Sequence, residues 1–194
     1  MAFRQMNLGE VADVRMGYAF RSRLEHNPAG EVVVIQMKDI DDRTLLRTAG
    51  THRVASSDIR PHHFLRRGDL VFRSRGLTNG TALVTEDIKP AVLAAPMLLI
   101  RPHRVLPEYL HWFLNAAATK NSLTALAAGS SVQMISADAL KSLPVPLPPI
   151  STQKTIADTA AAADLEEHLM KQIATLREKI MARMLMTRAK EVRQ

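Results

Sequence analysis

The chain contains no cysteine. Disulfides, thiolate nucleophiles and cysteine-ligated zinc are therefore excluded, and the composition is compatible with a reducing compartment. Aromatic residues make up only 4% of the sequence against 46% hydrophobic residues, so a core has to be built from Leu, Val, Ile, Ala and Met. No apolar run approaches the roughly 18 residues of a membrane span. The opening residues, Met1-Ala-Phe-Arg-Gln-Met-Asn7, lack the apolar centre of a signal peptide. The expectation is a soluble cytoplasmic protein with no membrane contact. Acidic residues are in deficit: 19 Asp and Glu face 26 Lys and Arg, a formal net charge of +7. That balance favours a polyanionic partner, either nucleic acid or an acidic protein face.

Catalytic patterns are also missing. The loop Gly76-Leu-Thr-Asn-Gly80 is not followed by Gly-Lys-Ser/Thr and is not a phosphate loop. Gly129-Ser-Ser131 lacks the Gly-x-Ser-x-Gly nucleophile elbow. His62 and His63 are adjacent, which predicts diverging side chains on the surface rather than a metal pair. Asp39, Asp41 and Asp42 have no accompanying nuclease lysine and read as a solvated turn. There is no glycine motif for a methyl-donor cofactor and no Asn/Asp-Pro-Pro-Tyr/Phe tetrad. The chain is expected to be no enzyme and to carry no cofactor or metal of its own.

At 194 residues there is room for one globular domain and an appendage. Residues 31–37 form a short β-branched run that predicts a buried strand. Residues 69–73 predict a second, entered through the turn Arg67-Gly68-Asp69, and residues 81–85 predict its hairpin partner. Residues 91–100 form another apolar run, ended by Pro102. Pro107 opens a predicted helix with Tyr109, Trp112 and Phe113 at helical spacing. The body is thus α+β.

The tail has neither Pro nor Gly from Ser151, a suitable N-cap, to Lys190. Ala162, Leu165, Leu169, Ile173, Leu176, Ile180 and Met184 recur at steps of three and four, giving one apolar stripe close to a heptad. A helix of about 40 residues is about 60 Å long. Its stripe requires either a partner helix, in a coiled-coil-like pairing, or the protein's own body.

Cations gather around turns in the body. Arg60, Arg66, Arg67, Arg73 and Arg75 bracket a turn, a strand and a glycine loop, after Arg21, Arg23 and Lys38. Arginine's planar fork suits phosphate or the O6/N7 edge of guanine. The loop Arg73-Ser-Arg-Gly-Leu-Thr-Asn-Gly80 adds hydroxyl and amide groups able to reach base edges, and Gly129-Ser-Ser-Val-Gln133 offers a second polar loop. Both segments are equally readable as solvated hairpin turns.

Several stretches, in order, resemble the specificity (S) subunits of type I restriction–modification systems. Leu8-Gly-Glu-Val-Ala-Asp-Val-Arg-Met-Gly17 is similar to that family's opening segment, and Val34-Ile-Gln-Met-Lys-Asp-Ile40 to an internal strand. Leu65-Arg-Arg-Gly-Asp-Leu-Val-Phe-Arg-Ser-Arg-Gly76 resembles its Gly-Asp turn and strand. Gly129-Ser-Ser-Val-Gln-Met-Ile135, Leu143-Pro-Val-Pro-Leu-Pro-Pro149 and Gln153-Lys-Thr-Ile156 resemble the junction into a conserved helix. Ser151-Thr152 departs from the pattern, where an acidic residue is common before the Gln.

The resemblance implies a half-length form. Residues 1–143 would be one target recognition domain, 144–150 a proline-rich junction and 151–194 a dimerisation and spacer helix. Full-length members carry two recognition domains held apart by two antiparallel helices, each domain reading half of a split DNA site. A half-length chain would rebuild this as a homodimer, with Leu165, Leu169, Ile173, Leu176, Ile180 and Met184 at the helix contact. Methyltransferase (M) subunits, and with them a restriction (R) subunit, would dock on it; S-adenosylmethionine belongs to the M subunit. From residue chemistry and loop position, the base-reading candidates on double-stranded DNA are Arg73, Ser74, Arg75, Thr78, Asn79 and Gln133. The backbone-contact candidates are Arg21, Arg23, Lys38, Arg66 and Ser130. Two other readings stay open: an assembly or modulator protein that pairs with such subunits through its helix without reading DNA, and a small nuclease or methyltransferase in its own right.

Overall fold

The structure, a computed structural model, describes residues 4–21, 24–41, 45–46, 48, 50–55, 59–76, 79–88, 90–127 and 134–191. It divides into two compact units, Met1–Lys154 and Thr155–Gln194.

The first unit is built on a four-stranded antiparallel sheet. Its strands are β2 (Ala12–Met16), β8 (Leu98–Pro102), β5 (Leu70–Phe72) and β6 (Thr81–Leu83), in the order β2-β8-β5-β6. A second sheet orders β4 (His52–Val54), β3 (Val32–Ile35) and β7 (Ala91–Leu93) as β4-β3-β7, with β3 and β7 parallel. Because side chains alternate across a strand, Val71, Ala82 and Leu99 share one face of the larger sheet. They meet Ile35, Ala91 and Leu93 of the smaller one in a buried cluster. The opposite face belongs to helices. Helix α2 (Pro107–Asn115) packs on β6 with Leu110 and Leu114, one turn apart, fully buried. The short helices α1 (Leu8–Val11) and α4 (Ala137–Lys141) pack together and on β2. Helix α3 (Ala117–Ala127) follows α2 directly.

The expected strands at 31–37, 69–73 and 81–85 are present as β3, β5 and β6, the last two as a hairpin. The apolar run at 91–100 is two strands rather than one. Pro96 interrupts it at a turn closed by Met97 N–H donating to the Ala94 carbonyl at 3.2 Å, so β7 and β8 enter different sheets. The Ala95–Pro96 peptide is cis.

The proline-rich segment is itself a strand. β9 (Pro144–Leu147) pairs antiparallel with β1 (Arg4–Asn7), placing Pro144 opposite Asn7 and Pro146 opposite Gln5. Prolines two residues apart turn their hydrogen-less nitrogens to the same edge, away from β1, and the ladder survives. The carbonyl of Pro146 faces that same outer edge, where the Tyr109 hydroxyl donates to it at 2.9 Å. Burial also pushes the Tyr109 phenol above its ordinary pKa.

Helix α5 (Ile150–Glu191) spans 42 residues. It begins one residue ahead of the expected cap, so Ser151 lies inside its first turn. Gln153 holds that turn. Its Oε1 accepts from Leu106 N–H at 3.0 Å and its Nε2 donates to the Pro148 carbonyl at 2.9 Å, with the side chain buried. From Leu165 to Met184 the six stripe residues are 43–62% exposed, so the stripe is uncovered along its length. Among the described residues no helix is long and apolar enough to cross a membrane.

Candidate nucleic-acid interface

The β5–β6 hairpin presents the first expected DNA-reading loop. At the base of the hairpin Gly68 has φ +88°, a conformation that disfavours any side chain. Beside it Asp69 accepts from Arg66 N–H at 2.8 Å and from the Arg101 guanidinium, fixing the turn to β8. At the loop end, Arg73 N–H donates to the Gly80 carbonyl at 2.9 Å.

Beyond Arg73 the chain meets the end of the second expected loop. Arg75 and Met134 form an antiparallel bridge, Ile135 N–H donates to the Ser74 carbonyl at 2.9 Å, and Arg75 Nε lies 3.1 Å from Met134 Sδ. Two residues bordering the expected loops, 59 positions apart in the chain, are thereby joined at one point. The Met37–Asp39 turn joins them, because Arg73 Nη2 donates to the carbonyls of Met37 (3.2 Å) and Ile40. That brings the exposed Lys38 to the same end.

The individual candidates fare differently. Arg75 is exposed at the shared anchor. Ser74, expected at a base edge, is instead 1% exposed, and its hydroxyl donates to the Pro96 carbonyl at 2.6 Å. A small hydroxyl residue following a buried strand satisfies a neighbouring carbonyl before it satisfies a ligand. Arg73 is half-buried and braces the Lys38 turn rather than offering a free fork. Asn79 is buried too. Arg66 is exposed but lies at the other end of β5 from Arg75, and Arg21 is exposed beyond β2. Arg23, Thr78, Ser130 and Gln133 lie outside the described residues, as does Asp42. In the second unit Leu165, Leu169, Ile173, Leu176, Ile180 and Met184 all stand open to solvent.

Two readings of the titratable residues need correction. Asp39 is not solvated: it is buried and its carboxylate caps its own turn, accepting from Gln36 N–H at 2.8 Å. His62 and His63 do not diverge. Their ring centroids are 4.1 Å apart, tilted by 41°, on the tight turn Pro61–His63, and Arg15 Nη1 donates to the His62 carbonyl at 3.2 Å. Sequence reasoning missed Arg15 and Tyr18 as their neighbours. Both lie more than 40 positions away, and only the His-His pair next to Arg60 hinted at the site. Among the described residues no group of three or more His, Asp or Glu is placed to hold a metal ion.

Residues 2–175 match the family described as type I restriction modification DNA specificity domain. Among solved structures, a chain from "Structural basis underlying complex assembly and conformational transition of the type I R-M system" superposes with a TM-score of 0.73 at 20% identity. The match covers 94% of this chain and 43% of that one. The HsdS subunit from Thermoanaerobacter tengcongensis superposes with a TM-score of 0.65 at 20% identity, covering 88% of this chain and 39% of that one. The type I restriction–modification S subunit from M. genitalium gives 0.55 at 15% identity, covering 84% and 39%. At these identities the likeness is one of fold. The chain spans about two fifths of the length of each of these structures. No curated protein matches the sequence at a significant level.

Proposed function

The chain belongs to the family of type I restriction–modification DNA specificity domains, and on that premise we propose that it is a non-catalytic DNA-reading subunit. Its first unit reads one half of a split double-stranded site. Helix α5 pairs with a second copy, so that the two-fold dimer reads an inverted repeat around an unspecified spacer. M subunits dock on this dimer and supply S-adenosylmethionine and the methyl-transfer chemistry; an R subunit completes the restriction complex.

The observation that carries this reading is the Arg75–Met134 bridge, which joins residues bordering two polar segments, with the Lys38 turn braced at the same end of the body. Phosphate contacts position a protein on DNA, and base contacts from such loops specify sequence. The uncovered stripe on α5 supports the pairing.

The test is site selection from a randomised duplex pool by the chain together with its M subunit. Inverted half-sites at a constant spacing are expected. Inserting one heptad into α5 should lengthen the spacer by about three base pairs, since seven residues add about 10 Å. Selection of a single undivided site would overturn the two-fold arrangement. An assembly role without DNA reading shares the uncovered stripe; recovery of no sequence preference, with M-subunit binding intact, would favour it.

A further inference from the structure

Outside the two loops themselves, four rings form a row on the first unit. Phe20 meets Tyr18 edge-on with centroids 4.8 Å apart, Tyr18 meets His63 edge-on at 5.2 Å, and His63 meets His62 at 4.1 Å. Two guanidinium groups flank the histidines. Arg15 on β2 is tied to the His62 carbonyl, and Arg60 immediately precedes the Pro61–His63 turn and is exposed. The row depends on Gly17. A side chain there would place its Cβ 2.7 Å from the Leu93 carbonyl oxygen, blocking the close pass in which Tyr18 N–H donates to that same oxygen at 2.6 Å.

This row sits beside the loop anchor. Met16, Leu98 and Phe72 are in register across the sheet, so β2 and β5 leave it at the same end. The Tyr18 carbonyl accepts from Ala95 N–H at 3.0 Å, and Ser74 donates to the Pro96 carbonyl. One two-residue turn therefore separates the ring row from the strand leading to Arg75.

The electrostatics of the row are unbalanced. Desolvation first, then His62, Arg15 and Arg60, push the His63 pKa below its ordinary value. His62 and the guanidinium groups of Arg15 and Arg60 act on His63, while the Asp13 carboxylate, 3.9 Å from Arg15, is largely exposed. An anion seated there would relieve the mutual repulsion and favour the protonated rings.

We infer that Arg15, Arg60, His62 and His63 form a phosphodiester-binding site that grips the DNA backbone beside the recognition loops and holds it more tightly as pH falls. The inference rests on the DNA-reading function proposed above. Binding is coupled to proton uptake, because a bound phosphate raises the pKa of an imidazole that the free protein keeps low.

The experiment is fluorescence anisotropy of a labelled mixed-sequence duplex with the full chain and its M subunit across pH and salt. If binding raises the His63 pKa by about one unit, affinity should rise toward a limit of about tenfold as pH falls from about 8 through the lowered free-state value. The double variant H62Q/H63Q should lose that rise, and R60A, at an exposed position, should reduce the salt slope by about one. If H62Q/H63Q and R60A bind like the unaltered chain while R75A still weakens binding, this site is wrong and the specificity reading stands. If neither the complex nor any complex carrying a variant binds duplex at low salt, both are wrong. In a parallel titration, inorganic phosphate that shifts the histidine ring resonances where duplex does not would assign the site to a small anion and overturn the inference.

Discussion

Asp69 holds Arg101 through both carboxylate oxygens: Oδ1 accepts from Nε and Oδ2 from Nη2, each at 2.7 Å. The Asp69 side chain is 2% exposed and also ties down Arg66 N–H, while Arg101 reaches on to the Phe64 carbonyl. One carboxylate thus closes the β5 entry turn onto β8. Removing one partner of a buried pair leaves the other uncompensated, at a cost of about 3–5 kcal/mol. Asp69→Ala is expected to lower the urea midpoint strongly. Asp69→Leu combined with Arg101→Met should recover most of the loss; a double variant no more stable than the single one would show that the backbone hydrogen bonds dominate.

Arg73 and Arg75 are expected to separate in their effects although they are two residues apart. Arg73 braces the Met37–Ile40 turn, so Arg73→Ala should cost about 1.5–3 kcal/mol of stability, the range for hydrogen bonds to a charged group. Arg75 is exposed, so Arg75→Ala should leave thermal unfolding nearly unchanged and weaken DNA binding by about 1–3 kcal/mol if it reads a base. Paired melting and binding curves check both. An Arg75 variant that melts early but binds normally would reverse the assignment.

Gln153 satisfies Leu106 N–H and the Pro148 carbonyl from inside the fold. Gln153→Leu keeps the volume but orphans both groups, each worth about 1–3 kcal/mol when left buried and unpaired. Denaturant unfolding should show the loss. A variant as stable as the original would mean that water replaces the amide.

Leu169 and Ile173 lie one turn apart on the uncovered stripe. Replacing both with Glu touches nothing packed in the chain, so the melting of an isolated chain should move by no more than about 0.5 kcal/mol. Light scattering should nevertheless fall from a dimer to a monomer mass. A monomer mass for the unaltered chain would remove the basis of the two-fold arrangement.

What the sequence determined by itself is local. Strand runs at β3 and β5, the Gly68-Asp69 turn, the hairpin into β6, the Pro107 helix start and the unbroken α5 each rest on residues within a few positions of one another. Propensity, turn chemistry and three-to-four spacing act over that range. The ordered stretches were enough to indicate the family.

Only the tertiary structure decided which polar groups face outward. Ser74 and Arg75 are neighbours with similar prospects in the sequence, yet one is sealed against Pro96 and the other is exposed opposite Met134. The split of residues 91–100 between two sheets, the pairing of β1 with β9, and the bond from Arg15 to the His62 carbonyl have the same origin. Each depends on contacts closed across tens of residues. Backbone groups buried by that closure must find partners, and the nearest side chain able to serve is taken whether or not its chemistry also suits DNA.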